Sequence, residues 1–172
     1  MNETLQLIDQ LIAEHKVINE RTASLSKVAN DARLLKELKT ARDTFVQGQP
    51  NPSQNLQKLW DMLGDVEPFL KGHFSREETI LLPAVKKLNN EKLADALETR
   101  LFEHTDLRDR IAHSKQRVYE LLTGKVAANL WGSTYTDIQS YLTQTWKLLG
   151  THAANENRFF NDLRKQLKKA GN

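Results

Sequence analysis

Cysteine is absent from the 172-residue chain. Its absence excludes disulfide bonds, thiolate zinc sites, cysteine-ligated iron–sulfur clusters and cysteine nucleophiles. Long apolar runs are missing too, since no segment approaches the roughly 18 consecutive apolar residues that a membrane-spanning helix needs. The opening MNETLQLIDQ has neither the basic start nor the apolar stretch of a signal peptide. These absences predict a cytoplasmic protein with no membrane partner.

Proline, glycine and excess charge of one sign are all scarce. The chain has four prolines and seven glycines, and no run of alternating β-branched residues indicates a strand. The 25 Lys and Arg residues nearly balance the 22 Asp and Glu residues. Basic residues cluster only at the predicted end of the last helix, where they suit the helix dipole: Arg164, Lys165, Lys168 and Lys169. We therefore predict an all-α protein with no nucleic-acid partner.

Apolar residues recur at steps of three and four over four long segments, which is the spacing of amphipathic helices. The predicted helices run from about Glu3 to the late twenties, from the N-cap Ser53 to near Pro83, from about Glu91 to Leu122 with Gly124 as C-cap, and from the late 120s or early 130s to about Lys169. A short extra helical segment around Leu34 and Leu38 lies between the first two. Short connections favour antiparallel neighbours. The prediction is one domain, residues 1–172, folded as an antiparallel up-down-up-down four-helix bundle.

Histidine occupies one position in the inward apolar stripe of each predicted long helix. These residues are His15, His73, His104 and His152. Glu77 and Glu156 follow the second and fourth histidines at a spacing of four, so each pair shares one helix face. In the second helix the core-facing series is expected to continue from Glu77 to Ile80. Buried imidazoles and carboxylates cost several kcal/mol unless they find partners, and a bound metal is the simplest partner.

Each feature taken alone has a simpler interpretation. A lone core histidine is more often a hydrogen-bonded core residue than a ligand, and a lone His-x-x-x-Glu pair is more often a surface ion pair. The combination of four histidines and two glutamates favours a metal site, because a metal-free core could not easily satisfy all six. His113 lies about 180° around the helix from His104 and is expected to face away. Glu78 is expected to be an outer neighbour of Glu77.

The number and type of these residues bear on the metal. Six ligands are too many for one tetrahedral zinc and fit two metals bridged by carboxylates. Imidazole with carboxylate favours iron, manganese or zinc over copper(I) or calcium. A metal-free bundle that uses its histidines as a pH-sensitive core is the alternative.

The chain resembles the hemerythrin-like (HHE cation-binding) domains. The matching elements are His15 in AEHKVI, His73 and Glu77 in HFSREE, His104 in LFEHTDLRDRI, and His152 and Glu156 in HAANENRFF. The resemblance implies a four-helix bundle that holds a non-haem di-iron centre with an oxo or hydroxo bridge. It also implies that Glu77 and Glu156 are bridging carboxylates and that the four histidines are terminal ligands, with zinc or manganese as possible substitutes for iron.

Two positions differ from the oxygen-carrying hemerythrins. Those proteins have a second histidine one turn after the third-helix histidine, where this chain has Arg108, and an aspartate five residues after the last histidine, where Glu156 follows at four. The set looks more like the branches that repair iron centres or sense iron, oxygen or nitric oxide. The resemblance thus implies a protein that binds or responds to O2, NO or peroxide. The alternative is a di-iron oxidoreductase or iron donor, with an electron donor or client protein that the sequence does not identify.

Overall fold

The computed structural model of the protein describes residues 2–170. Its α-helices are α1 (Asn2–Ala29), α2 (Ala32–Arg42), α3 (Gln54–Arg76), α4 (Leu82–Lys86), α5 (Glu91–Leu101), α6 (Glu103–Leu122) and α7 (Trp131–Ala170). A π-helical turn, Glu77–Leu81, joins α3 to α4, and a 3-10 turn, Ala128–Leu130, precedes α7. Residues 2–170 contain no strand, which confirms the all-helical prediction. Among these helices, none combines the length and apolar character needed to cross a membrane.

The helix ends follow from local side-chain chemistry. The hydroxyl of Ser53 accepts a hydrogen bond from the backbone N–H of Leu56 and so caps α3. Gly124 ends α6 with a φ of +68°, and a Cβ there would collide with the backbone carbonyl of Gln49. Both predicted caps are confirmed. Asp31 caps α2 by accepting from the N–H of Arg33.

The long helices form a bundle in which α1 and α6 each pack against both α3 and α7. Side-chain contacts fix how the helices are aligned. Between α1 and α7, Asp9 pairs with Arg164 and Asn30 donates to Thr143. Between α3 and α6, Lys115 pairs with Glu67. These contacts bring one histidine-bearing stretch of each long helix to the same level of the bundle.

The apolar core is divided into two clusters with a polar layer between them. The larger cluster includes Ile18, Leu70, Phe74, Leu107 and Leu149. The smaller cluster includes Leu11, Leu81, Leu97, Phe159 and Phe160. Along each long helix the predicted histidine falls between a residue of one cluster and a residue of the other. The six predicted residues therefore form the layer that separates the two cores.

The third long helix differs from its prediction. We expected one helix from about Glu91 to Leu122, but the structure divides it into α5 and α6 at Phe102. Phe102 keeps helical dihedral angles, φ −60° and ψ −28°, and its ring is exposed. The division has a packing reason: α5 packs mainly on α4, whereas α6 packs on α3 and α7. No glycine or proline marks this position in the sequence.

The prediction that Ile80 faces the core is wrong. Ile80 is 52% exposed and its neighbour Leu81 is fully buried. The π-helical turn causes this shift, because the N–H of Leu82 bonds to the carbonyl of Glu77, five residues back. Pro83 favours the wider turn, since proline has no N–H and its ring would crowd the carbonyl four residues before it.

Candidate metal centre

The polar layer brings all six predicted residues together. α1 supplies His15, α3 supplies His73, the π-helical turn supplies Glu77, α6 supplies His104, and α7 supplies His152 and Glu156. All six are at most 3% exposed. They form two groups of four, each with one ligand atom per residue within 4.8 Å of the others: His15, His73, Glu77 and Glu156, and Glu77, His104, His152 and Glu156. Both glutamates belong to both groups.

Each shared carboxylate lies between histidines of the two groups. Glu77 has its Oε1 3.3 Å from His73 Nε2 and its Oε2 3.2 Å from His104 Nε2. Glu156 Oε2 lies 3.1 Å from His15 Nε2 and 3.0 Å from His152 Nε2. A carboxylate placed in this way can serve two cations at once.

The outer nitrogen of every histidine is already occupied. Each Nδ1 lies 2.8 Å from a side-chain oxygen on a neighbouring element: His15 to Asn157 Oδ1, His73 to Glu14 Oε2, His104 to Glu78 Oε1 and His152 to Glu103 Oε2. A carboxylate oxygen only accepts, so the imidazole donates its Nδ1–H. The Nε2 lone pair then points into the layer, as a metal ligand requires.

Most of the inner atoms of the layer lack hydrogen-bond partners. Neither Nε2 of His15 and His73 nor any carboxylate oxygen of Glu77 and Glu156 makes a hydrogen bond, although all are buried. The Nε2 atoms of His104 and His152 face each other at 3.1 Å. An unsatisfied buried polar group costs about 1–3 kcal/mol, and more if it is charged. Cations between these atoms would satisfy them together, so the donor set fits a metal centre.

Without metal, neighbouring carboxylates favour the protonated form of two of the imidazoles, those of His73 and His152. Burial alone would lower the pKa of His73, but Glu77 and Glu14 outweigh it and raise that pKa above its ordinary value. Burial acts on His152 in the same way, and Glu156 and Glu103 raise its pKa. Burial would raise the pKa of Glu156, yet contacts with His15 and His152 hold it below its ordinary value. Protons and metal ions therefore compete for the same atoms.

Aromatic rings wall the layer on two sides. Phe74 stacks on His104 with ring centroids 3.9 Å apart and planes 17° apart. Phe160 lies parallel to His15 at 5.8 Å. The two phenylalanines belong to opposite apolar clusters. They limit the rotation of the imidazoles and keep water from reaching the layer through the cores.

The Nδ1 partners are the functional residues that the sequence prediction missed. Glu14, Glu103 and Asn157 were not among its candidates, and Glu78 was expected only as an outer neighbour. A signal does exist, because every partner is the immediate sequence neighbour of one of the six. His113 lies outside the layer, half-exposed, with its Nε2 3.3 Å from Asp137.

A buried layer of imidazoles and carboxylates inside an all-helical bundle defines a metal-binding helical protein. The family of the hemerythrin HHE cation binding domain matches residues 6–161, which is most of the chain. The protein belongs to this family, and the resemblance seen in its motifs is confirmed. No curated protein and no solved structure matches the chain.

Proposed function

We propose that this protein holds two iron ions in the polar layer and uses them to bind or respond to O2, NO or peroxide. The observation that carries the proposal is the sharing of Glu77 and Glu156 between two groups of histidines. One cation would leave one of the two histidine pairs without a partner. Two cations would satisfy both pairs and both carboxylates.

The ligand assignment follows the two groups. His15 and His73 would hold one metal, His104 and His152 would hold the other, and Glu77 and Glu156 would bridge them. Four imidazole nitrogens with two carboxylates suit iron, and zinc or manganese could replace it. When bound, an iron pair supplies redox-active centres for a small oxidant or diatomic ligand. The chain's own residues orient the imidazoles through Nδ1 and exclude water through Phe74 and Phe160.

The frame we propose for this centre is an antiparallel up-down-up-down four-helix bundle built from α1, α3, α6 and α7 in one domain. Contacts between early residues of one helix and late residues of its neighbour support this arrangement. Asp9 contacts Arg164, whereas Asn30 contacts Thr143. In such a bundle each of the four helices places one histidine at the level of the layer.

The experiment that tests the proposal is metal analysis of protein purified without a histidine tag from iron-replete cells. We expect about two irons per chain, as the paired donor set requires. The anaerobically reduced protein should then change its absorption spectrum on addition of NO, O2 or peroxide. Protein that stays metal-free after reconstitution with iron would overturn the proposal and leave the pH-sensitive core as the explanation.

A turnover assay distinguishes binding from catalysis. Peroxide or NO is supplied together with an artificial electron donor, and consumption is followed at steady state. Spectral change without sustained consumption supports a binding or sensing protein. Sustained consumption supports a di-iron oxidoreductase, and transfer of iron to an acceptor protein supports an iron donor.

A further inference from the structure

The four Nδ1 hydrogen bonds run around the bundle in one direction. His15 on α1 donates to α7, His152 on α7 donates to α6, His104 on α6 donates to the π-helical turn, and His73 on α3 donates back to α1. Three acceptors are carboxylates, Glu103, Glu78 and Glu14. The fourth acceptor, Asn157, is an amide. The ring of hydrogen bonds is therefore closed in its connections but uneven in its charge.

The two histidine pairs differ in the charge of the groups that accept from their Nδ1 atoms. Two of the three carboxylates form an ion pair with an arginine, since Glu14 lies 2.7 Å from Arg76 and Glu78 lies 2.7 Å from Arg108. Each pair of histidines has one of these arginine-paired acceptors. The remaining contrast is between Asn157, which serves His15, and Glu103, which serves His152.

An amide and a carboxylate affect an imidazole ligand differently. A carboxylate at Nδ1 fixes the proton there and makes the ring a stronger donor to metal. A neutral amide does so less, and it can also turn to present its NH2 group, which would donate to Nδ1 and move the imidazole proton to Nε2. In that tautomer, His15 has no lone pair facing the layer. Both differences make His15 a weaker metal ligand than His152.

We propose that Asn157 makes the position of His15 and His73 the weaker of the two metal positions, so that metal enters it last and leaves it first. The inference rests on the proposed function. Asn157 also lines a surface groove between α1 and α7, together with Ile12, Lys16, Asn19 and Trp146. The exchangeable position thus lies behind a groove that opens to solvent, with Asn157 between the groove and His15. Asn157 is a positioning residue, and it acts on metal through His15.

The test is a titration of metal-free protein with Zn²⁺ against a competing chelator, with the histidine ring signals followed by NMR. We expect two steps whose affinities differ by roughly tenfold or more, the usual effect of an outer hydrogen-bonding partner. The first equivalent should shift the signals of His104 and His152. The second should shift those of His15 and His73.

Three variants sharpen the test. Asn157→Asp should raise the affinity of the second step by roughly tenfold, because it supplies the missing carboxylate. Asn161→Asp adds the same charge one turn further along α7, where the side chain pairs with Arg164 rather than a histidine, and should leave the ratio of the two steps unchanged. Glu103→Gln should weaken the first step and reduce the difference between the steps. Circular dichroism of each variant verifies its helical content.

Each result has a defined meaning. Equal effects of Asn157→Asp and Asn161→Asp would overturn the inference, since general charge would then explain the change. Shifts of His15 and His73 with the first equivalent would also overturn it. Binding of fewer than two zinc ions by the parent protein would instead refute the two-metal function, and the ranking of positions would fall with it.

Discussion

Arg108 forms an ion pair with Glu78, the carboxylate that accepts the Nδ1–H of His104. Its Nη2 lies 2.7 Å from Glu78 Oε1 and 2.8 Å from Oε2, and the same Oε1 accepts the Nδ1–H of His104 at 2.8 Å. Arg108 also lies over the ring of Phe74, 5.2 Å from its centroid, and Phe74 itself stacks on His104. The position one turn after His104 therefore carries a residue that acts on His104 through Glu78.

We predict that Arg108→Ala lowers the affinity for metal several-fold with little loss of stability. The ion pair with Glu78 is partly exposed, 29% and 33%, so its removal should change the free energy of unfolding by about 1 kcal/mol or less. Glu78 would no longer be held against His104. Arg110→Ala is the matched control, because Arg110 pairs with Asp106 on the same helix and contacts none of the histidines. Chelator competition with Zn²⁺ measures the affinity, and equal affinities of the two variants would contradict the prediction.

Glu77→Ala and Glu156→Ala should each lose most of the bound metal. Both carboxylates are fully buried and both belong to the two histidine groups, so either change removes a donor from both metal positions. His113→Ala is the control and should keep the parent's metal content, since His113 pairs with Asp137 outside the layer. Elemental analysis after reconstitution decides the matter. Equal metal content in the three variants would remove the two glutamates from the ligand set.

A third prediction tests the π-helical turn. Leu81→Ala should destabilise the protein by about 2–5 kcal/mol, because it empties a buried position in the smaller apolar cluster. Ile80→Ala should change the free energy of unfolding by only about 0.5 kcal/mol, as exposed positions usually do. Denaturant unfolding of both variants gives the comparison. Regular helical periodicity predicts the reverse order, so a larger loss at Ile80 would argue against the extra residue in this turn.

The stability of the metal-free protein should fall as the pH rises above about the ordinary histidine pKa of 6.5. The pKa values of His73 and His152 are raised in the fold. Their charged forms therefore stabilise the fold fully below the unfolded-state pKa, and this stabilisation is lost as the pH passes the raised values. Metal binding reverses the trend, since it requires neutral imidazoles and should tighten with increasing pH.

Thermal unfolding at several pH values, in chelator and in Zn²⁺, measures both trends. His113→Ala removes the half-exposed histidine and should leave both pH profiles in place. If the stability of the metal-free protein instead rose steadily between about pH 6 and about pH 9, on either side of the ordinary histidine pKa, the assigned direction of these pKa shifts would be contradicted.

Sequence periodicity predicted the helical segments and the six residues of the layer because each depends on contacts within one helix. It did not predict the division of the third segment at Phe102, which depends on packing against other helices. The caps at Ser53 and Gly124 follow from local backbone chemistry in the same way. The exposure of Ile80 was not predictable from a regular 3.6-residue repeat, since one widened turn shifts every later position. The Nδ1 partners were missed for another reason. Asn157 meets His15 across 142 residues of chain, and that meeting depends on the alignment of α1 with α7.

The division of the core into two apolar clusters has a consequence for the motions of the chain. Each cluster can stabilise one end of the bundle as a separate cooperative unit. The layer of imidazoles and carboxylates lies between the two units and is the main energetic coupling between them. Without metal, that layer is the place where local opening should begin. Amide hydrogen exchange around Glu77 and Glu156 would then be fast relative to both ends of the bundle. Bound cations would join the two units into one, so that the amides of both ends exchange together through global unfolding.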